Sequence, residues 1–332
     1  MERNVDYMEA VVARHYGGAE VISQEVMDQP KIAKDEVLLK VRAAALDRGV
    51  WHLMTGTPYV IRILGFGFSR PKQPVLGLDV SGEVVAVGRD VTRFSMGDEL
   101  FGIGSATFAE FAAAPEKKLS HKPANLDLAA AASLGISGTT ALQALTVHGN
   151  VQPGQSVLVI GASGGVGSFT VQIAVHLGAQ VTAVASAEKV ESVRALGAVQ
   201  VLSYSDPDYL ASSEKYDLII DAGGLNPLRK LMGALNPAGT LVIVGGEGGG
   251  KWTGGVGRNV RAIFLSAFSK KKLTAFISRE DHAFTDQLAT LVSIGAITPL
   301  IENRYHLSEA SAAISDLEAG KVTGKALILV DE

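Results

Sequence analysis

The stretch VLVIGASGGVG, residues 157 to 167, is an apolar run that breaks abruptly into glycine. A strand with no polar face has to be covered on both sides, which places it inside a parallel sheet. The glycines that follow allow a tight turn, a close backbone approach to a ligand and close packing of the next helix. The helical segment SFTVQIAVHLGAQ and a second apolar strand complete a strand–turn–helix–strand unit. A G-x-x-G-x-x-G string alone is weak evidence. In this order of elements it reads as a dinucleotide turn, with the helix N-terminus and its amides directed at a pyrophosphate. Ser163, Gly164, Gly165 and Val166 are the residues expected to touch it. The ligand-free alternative is a glycine turn that only lets a helix pack tightly.

The chain has 332 residues, room for two domains and a sizeable core. Residues 1 to about 120 read as short strands between turns: EAVVARHYGG, VISQEVMDQP, DEVLLKVRAAAL, SGEVVAVGRD and GDELFGI. Valine-rich runs bounded by Gly, Pro and Asp at such intervals imply an antiparallel barrel. From LDLAAAASLGISGTTALQALTVHG onward, helical periodicity alternates with the buried strands SVLVIG, QVTAVAS, VQVLSY, YDLIIDAGG and GTLVIVGG. That alternation implies an α/β parallel sheet with helices on both faces. After about residue 280 come an apolar helix around FTDQLATLVSIG, the segment RYHLSEASAAISDLEAG and a last strand, KALILV, expected to return to the first domain. The glycine-rich VGGEGGGKWTGGVG is expected to be a mobile loop.

Composition removes several function classes. With no cysteine there is no disulfide, no thiolate chemistry and no zinc site built on sulfur, which fits a reducing cytoplasm. A formal net charge of −4 without a dominant basic cluster argues against nucleic acid as a partner. The N-terminal MERNVDYMEAVV carries charge where a signal peptide needs an apolar core. The longest apolar candidate for a membrane span, ATLVSIGAITPLI, is interrupted by glycine and proline and falls short of the roughly 20 residues required. A soluble, cytoplasmic protein without an integral membrane segment is the expectation.

The residue that ends the second strand of the nucleotide unit selects the cofactor. NAD binders place Asp or Glu about 20 residues after the turn, to hold the ribose 2′-OH. Here that place falls on Ala185 or Ser186, in TAVASAEKV. Ser186 can donate to a phosphate oxygen and Lys189 follows as a point charge, so a 2′-phosphate is accepted and NADPH is favoured. The alternative makes Ser186 a helix cap and Lys189 a solvated residue, with Glu188 between them as a partial offset.

The blocks GTTALQAL, GQSVLVIGASGGVG, QIAVHLGAQVTAVAS, VRALGAVQVLSY and GTLVIVGG occur in an order that resembles the medium-chain dehydrogenase/reductase superfamily. So do PVLGLDVSGEVVAVGRDVTRFSMGDELFG and AEFAAAPEKKLSHKPANL, and the nearest branch is the zinc-free quinone oxidoreductases, the zeta-crystallin-like group. The resemblance implies a GroES-like β-barrel domain over 1–137 and 280–332 and a Rossmann domain over 138–279, with the active site in the cleft between them. It also implies a homodimer. Zinc relatives need cysteines and a GHE turn. The matching turn here is Gly77-Leu78-Asp79, and no cysteine exists. Metal-free hydride transfer from NADPH to a small-molecule quinone or α,β-unsaturated carbonyl is therefore the expected reaction, with no metal ligands. An enoyl thioester or aldehyde as substrate is one alternative, and a nucleotide-binding protein without turnover is another.

Position by position, the resemblance carries Thr140 toward the nicotinamide, Tyr204 toward the adenosine phosphate, Gly223 and Gly245 to the carboxyl ends of strands, and Phe276 toward the nicotinamide end. Helix capping for Thr140 and plain packing for Tyr204 and Phe276 are the structural alternatives. In AAALDRGVWHLMTGTPYV, Asp47 stands where relatives carry Asn and Val50 where they carry Asp. An ionised Asp47 opposes charge on a substrate oxygen, so it is expected to bind the nicotinamide ribose or amide, or to be protonated by burial. Tyr59 and His52 are the other candidate donors, with packing as their alternative and solvent as the alternative acid. One segment departs from the family core, VIRILGFGFSRPKQ at 60–73, where Ile, Leu and Phe interleave with Arg62, Arg70 and Lys72. It is expected to pack on the barrel or a subunit partner, with a lid over a greasy substrate or a membrane-touching loop as the functional alternatives.

Overall fold

Short β-branched runs set the strands of the first part of the chain. They are β1 (Tyr7–Ala13), β2 (Ile22–Asp28), β3 (Glu36–Leu46), β4 (Asp79–Val87), β5 (Glu99–Ile103), β6 (Phe111–Pro115) and β7 (Leu119–His121). Helix α1 (Arg48–Thr55) lies between β3 and β4, and α2 (Leu128–Ala131) and α3 (Gly135–Gln143) follow β7. Next come β8 (Ser156–Ile160), α4 (Gly165–His176), β9 (Gln180–Ala185), α5 (Val190–Arg194), β10 (Gln200–Ser203) and β11 (Tyr216–Asp221). Then α6 (Leu228–Ala234), β12 (Leu235–Ile243), α7 (Val256–Ala267) and β13 (Lys272–Ala275). The last elements are α8 (His282–Ser293), β14 (Ile301–His306), α9 (Ala310–Glu318) and β15 (Lys325–Leu329). The structure, a computed structural model, describes residues 7–206, 209–210, 214–246 and 250–330. The charged N-terminal segment through residue 6 and part of the glycine-rich loop, 247–249, lie outside them.

The chain divides into two compact units, Met1–Thr139 with Glu280–Glu332, and Thr140–Arg279. In the first, strands run in the order β14-β15-β3-β4-β5-β7, with β6 also pairing β3, and β1 and β2 form a separate two-stranded sheet. All pairings are antiparallel except β14 with β15, so the expected antiparallel layout holds for all but that pair. β3 shows why the sequence folds this way: Val37, Leu39 and Val41 point inward while Lys40 and Arg42 face water. From Ala43 onward both faces are buried, and Ala43 and Ala45 pack against Ala129, Ala132 and Leu327. Alanine on both sides lets a helix lie close to the strand.

In the second unit the sheet order is β10-β9-β8-β11-β12-β13, all parallel. Counted from β8, that is 3-2-1-4-5-6, the order of a Rossmann sheet. The order reverses between β8 and β11, whose ends pair Ile160 with Asp221. Val157 to Ile160 are fully buried, and α4 is buried from Gly167 to Ala174, so its apolar character extends around the helix. The edge strand β13, and β14 in the first unit, lack the strong apolar signal of the other strands, and no strand was expected at either place.

One apolar helical run was underestimated from sequence. Leu128–His148 is 21 residues long and apolar enough to cross a membrane by length and composition alone, although most of it is buried inside the protein. Its helical periodicity is legible in the sequence, but its Ser, Thr and Gly residues dilute the apolar character, so it does not stand out as one apolar run of that length.

A buried ion pair ties the first unit together. Asp79 opens β4 and Lys325 opens β15; they are 0% and 1% exposed, with Nζ 2.8 Å from Asp79 Oδ2. Asp79 Oδ1 accepts the Ile136 amide at 2.7 Å, and Lys325 also reaches Ser137 Oγ at 3.3 Å. Burial raises the Asp79 pKa, Lys325 opposes the rise, and Asp47 adds to it. Gly135 is obligatory here, because a Cβ on it would sit 2.4 Å from Asp79 Oδ1. Removing one partner strands a buried charge, so Lys325→Met should cost about 3–5 kcal/mol in chemical denaturation, and Asp79→Leu with Lys325→Met should recover much of it. The raised carboxyl favours the protonated form in the fold, so the deficit of Lys325→Met should shrink as pH falls toward about 4, the unfolded carboxylate range. A deficit that does not change with pH would contradict this reading.

Candidate functional site

The turn after β8 is built around missing side chains. A methyl group on Gly167 would lie 2.0 Å from the Gly161 carbonyl oxygen, so only glycine lets α4 dock on the turn. Gly161 adopts φ +85 and approaches Gly223 so closely that a Cβ would be 2.9 Å from its amide. Gly164 is different: a methyl there would meet only the Gly161 oxygen, at 3.5 Å. The space above Gly164 is thus open to something other than protein. No side chain caps α4, and Ser163 to Val166 are half-buried. The first amides of a helix have no intrahelical acceptor, so those of Gly165, Val166 and Gly167 face outward with the positive end of the helix dipole. This suits a pyrophosphate.

β9 ends at Ala185, and Ser186 heads a short turn, Ala187–Lys189. Ser186 stands at the N-cap position of that turn but makes no side-chain cap bond. Ser186 and Lys189 are half-buried, while Glu188 is exposed and turned to solvent. The position that would hold a ribose diol therefore presents a hydroxyl and an ammonium, with no carboxylate from 180 to 187.

Tyr204 follows β10, and its hydroxyl is the nearest atom, at 3.3 Å, to a Cβ built on Gly223. The ring is exposed, but the phenol end lies inward beside Tyr209 and Asp221. Burial first, then these two neighbours, push its pKa up to about 12, so it stays a donor at neutral pH. Gly223 and Gly245 follow β11 and β12 at the carboxyl edge, and a Cβ on Gly245 would sit 2.2 Å from the Ala222 oxygen. Thr140 is buried in the interior of α3, away from either cap. Phe276 follows β13 and stacks on His148, with centroids 4.0 Å apart, so its ring face is engaged by packing.

Asp221 and Arg258 were not singled out from sequence. Asp221 is fully buried at the switch point, where one oxygen takes the Gly224 amide at 3.1 Å and the other an ion pair with Arg258 of α7. Arg258 also donates to the Asn226 carbonyl at 3.0 Å, and Asn226 accepts the Tyr209 hydroxyl at 2.7 Å. The pair neutralises a carboxylate that would otherwise repel phosphate. The available signal was an acid ending the apolar run LIID.

In the first unit, Asp47 is the N-cap of α1, its Oδ1 accepting the Val50 amide at 3.2 Å. It is 8% exposed, and Oδ2 is buried with no hydrogen-bond partner among the described residues. A buried carboxylate oxygen without a partner is costly unless a ligand donor meets it. His52 Nδ1 lies 2.7 Å from the Thr57 carbonyl oxygen, and the Arg62 guanidinium is sandwiched between the Tyr16 and Tyr59 rings, 4.2 and 4.6 Å from their centroids. Both His52 and Tyr59 thus take part in holding the loop. Of the two packing places expected for the 60–73 segment, the barrel is not used, since Ile63, Leu64, Phe66 and Phe68 are all exposed on this chain; packing on a subunit partner is not tested by that exposure.

Comparison with known proteins gives a consistent assignment. Residues 33–124 match the alcohol dehydrogenase GroES-like domain and 196–328 the zinc-binding dehydrogenase family. The chain is 31% identical to the chloroplast envelope quinone oxidoreductase homolog of Arabidopsis thaliana, over 97% of this chain and 98% of that one. It is 30% identical to the NADPH-dependent alkenal/one oxidoreductase of the same plant, over 97% of this chain and 79% of that one. Among solved structures, the quinone oxidoreductase from Coxiella burnetii superposes with a TM-score of 0.87 at 29% identity, covering 98% of this chain and all of that one. The Rossmann order, the glycine turn and full-length similarity to these relatives converge: the chain belongs to the medium-chain dehydrogenase/reductase superfamily.

Proposed function

We propose that the protein is a zinc-independent, NADPH-dependent oxidoreductase that reduces quinones or α,β-unsaturated carbonyls, and that it acts as a homodimer. The observation that carries the cofactor is the end of β9, where an uncommitted Ser186 hydroxyl and Lys189 stand in place of a ribose-binding carboxylate. The relatives' names supply the substrate class, quinones and alkenals or alkenones. Zinc independence is supported by donor chemistry: the chain has no cysteine, and both Asp79 oxygens are taken, by the Ile136 amide and the Lys325 ammonium. A cation already occupies the place beside that carboxylate.

When bound, NADPH supplies a hydride. The chain's own residues hold and orient it. Backbone amides at Ser163, Gly165 and Val166 would take the pyrophosphate, with Gly164, whose amide is spent on the Gly161 carbonyl at 3.1 Å, giving it clearance. Ser186 and Lys189 would take the 2′-phosphate, and the Tyr204 phenol would donate on the adenosine side. Gly223 and Gly245 give clearance at the strand ends, and Thr140 and Phe276 are assigned to the nicotinamide end. Asp47 Oδ2 accepts from a ribose hydroxyl or carboxamide N–H, which satisfies the orphan oxygen and keeps the carboxylate off the substrate oxygen. Tyr59 and His52 are assigned to the substrate side as hydrogen-bond donors for the enolate or quinol oxygen.

The purified protein should oxidise NADPH with a panel of quinones and enones and contain no stoichiometric zinc by elemental analysis. Saturable NADPH binding without turnover would instead identify a non-catalytic binder. Lys189→Glu should weaken NADPH at least about tenfold while sparing NADH, because a carboxylate repels the 2′-phosphate; an unchanged preference removes that role. Glycine substitutions separate packing from binding. Gly167→Ala should lower stability by about 1–3 kcal/mol through overpacking, whereas Gly164→Ala should leave the thermal midpoint unchanged and weaken nucleotide titration.

A further inference from the structure

The charge of the chain is not evenly spread. Its net charge is −4, yet from Arg48 to Leu78 there is no Asp or Glu, and this span carries Arg48, Arg62, Arg70 and Lys72. The same span presents Ile63, Leu64, Phe66 and Phe68 to solvent, at 73%, 70%, 48% and 81% exposure. Beside it, grooves of about 340 and 370 Å³ flank the Pro71–Lys72 stem, one lined by Arg14, His15, Arg70 and Lys72, the other by Leu53, Phe66 and Gln73. Arg14 is paired with Glu25, so Arg70 and Lys72, both exposed, supply most of the local positive charge.

The loop is held in shape. Arg62 donates to the Gly56 carbonyl at 2.8 Å between its two tyrosine rings, the Tyr16 hydroxyl donates to the Gly67 carbonyl at 2.5 Å, and the Lys72 amide donates to the Phe66 carbonyl at 2.8 Å. Gly67 has φ +114, and a Cβ there would lie 2.0 Å from the Arg70 carbonyl oxygen. A tip braced in this way keeps its apolar side chains outward.

We propose that residues 62–72 form a docking surface for an anionic lipid bilayer, the four apolar side chains entering the interface and Arg70 and Lys72 meeting lipid phosphates. Binding of this type adds buried apolar area to attraction between basic residues and acidic headgroups. A second copy is the weaker fit, since a two-fold contact would set the same cations against themselves. The inference goes beyond the catalytic reading and does not depend on it.

The test is co-sedimentation of the full chain with phosphatidylcholine vesicles, with and without phosphatidylglycerol. The protein should pellet with the mixed vesicles and not with phosphatidylcholine alone, and added salt should release it. Phe66→Ser with Phe68→Ser, and separately Arg70→Glu with Lys72→Glu, should each weaken binding about tenfold or more at an unchanged thermal midpoint. Phe264→Ser, which removes an exposed ring of α7 in the other unit, should have no effect. Absence of binding to the mixed vesicles overturns the proposal, as does equal loss in Phe264→Ser. So does a soluble dimer that dissociates in the Phe66/Phe68 variant without lipid binding.

Discussion

Helix α4 reaches strand β8 only because residue 167 has no side chain. With the Gly161 oxygen 2.0 Å from where a Cβ would be, any other residue would push the helix off the sheet. The amides at the start of that helix would then no longer sit over the switch between β8 and β11. The glycine turn is therefore, first of all, a packing constraint. Gly164, with open space where Gly167 has none, is free of that packing constraint.

Around this constraint the protein manages buried charge by pairing it. Asp221 at the switch point is matched by Arg258, and Asp79 by Lys325. Each pair neutralises a carboxylate that the fold has taken out of water, which lone burial would make costly. Asp47 stands apart because one of its oxygens has no hydrogen-bond partner among the described residues. Its other oxygen is committed to capping α1, which fixes the carboxylate in place for whatever donor arrives.

Much of this was legible in the sequence. Continuous apolar runs at SVLVIG and YDLIID are strands because nothing polar in them needs water, and both are strands here. The glycine turn was readable because its element order is specific, and the empty carboxylate position at Ser186 because it lies at a fixed count from the turn. The illegible parts share a cause: their signals are weak locally and decided by distant partners. β13 and β14 carry too few apolar residues to stand out. Asp221 and Arg258 are 37 positions apart. The 60–73 segment looked ready for burial by composition, yet a brace of hydrogen bonds and a cation between two rings keeps it exposed.

The split of the first unit across both chain ends also bears on biosynthesis. The second unit is one continuous segment, Thr140–Arg279, and is complete before Lys325 has been translated. Asp79 is made early and waits for its counter-ion until the intervening second unit has been made. During that interval the N-terminal sheet lacks both its β15 neighbour and its internal neutraliser, so the first unit closes only after the whole of the second unit has been made.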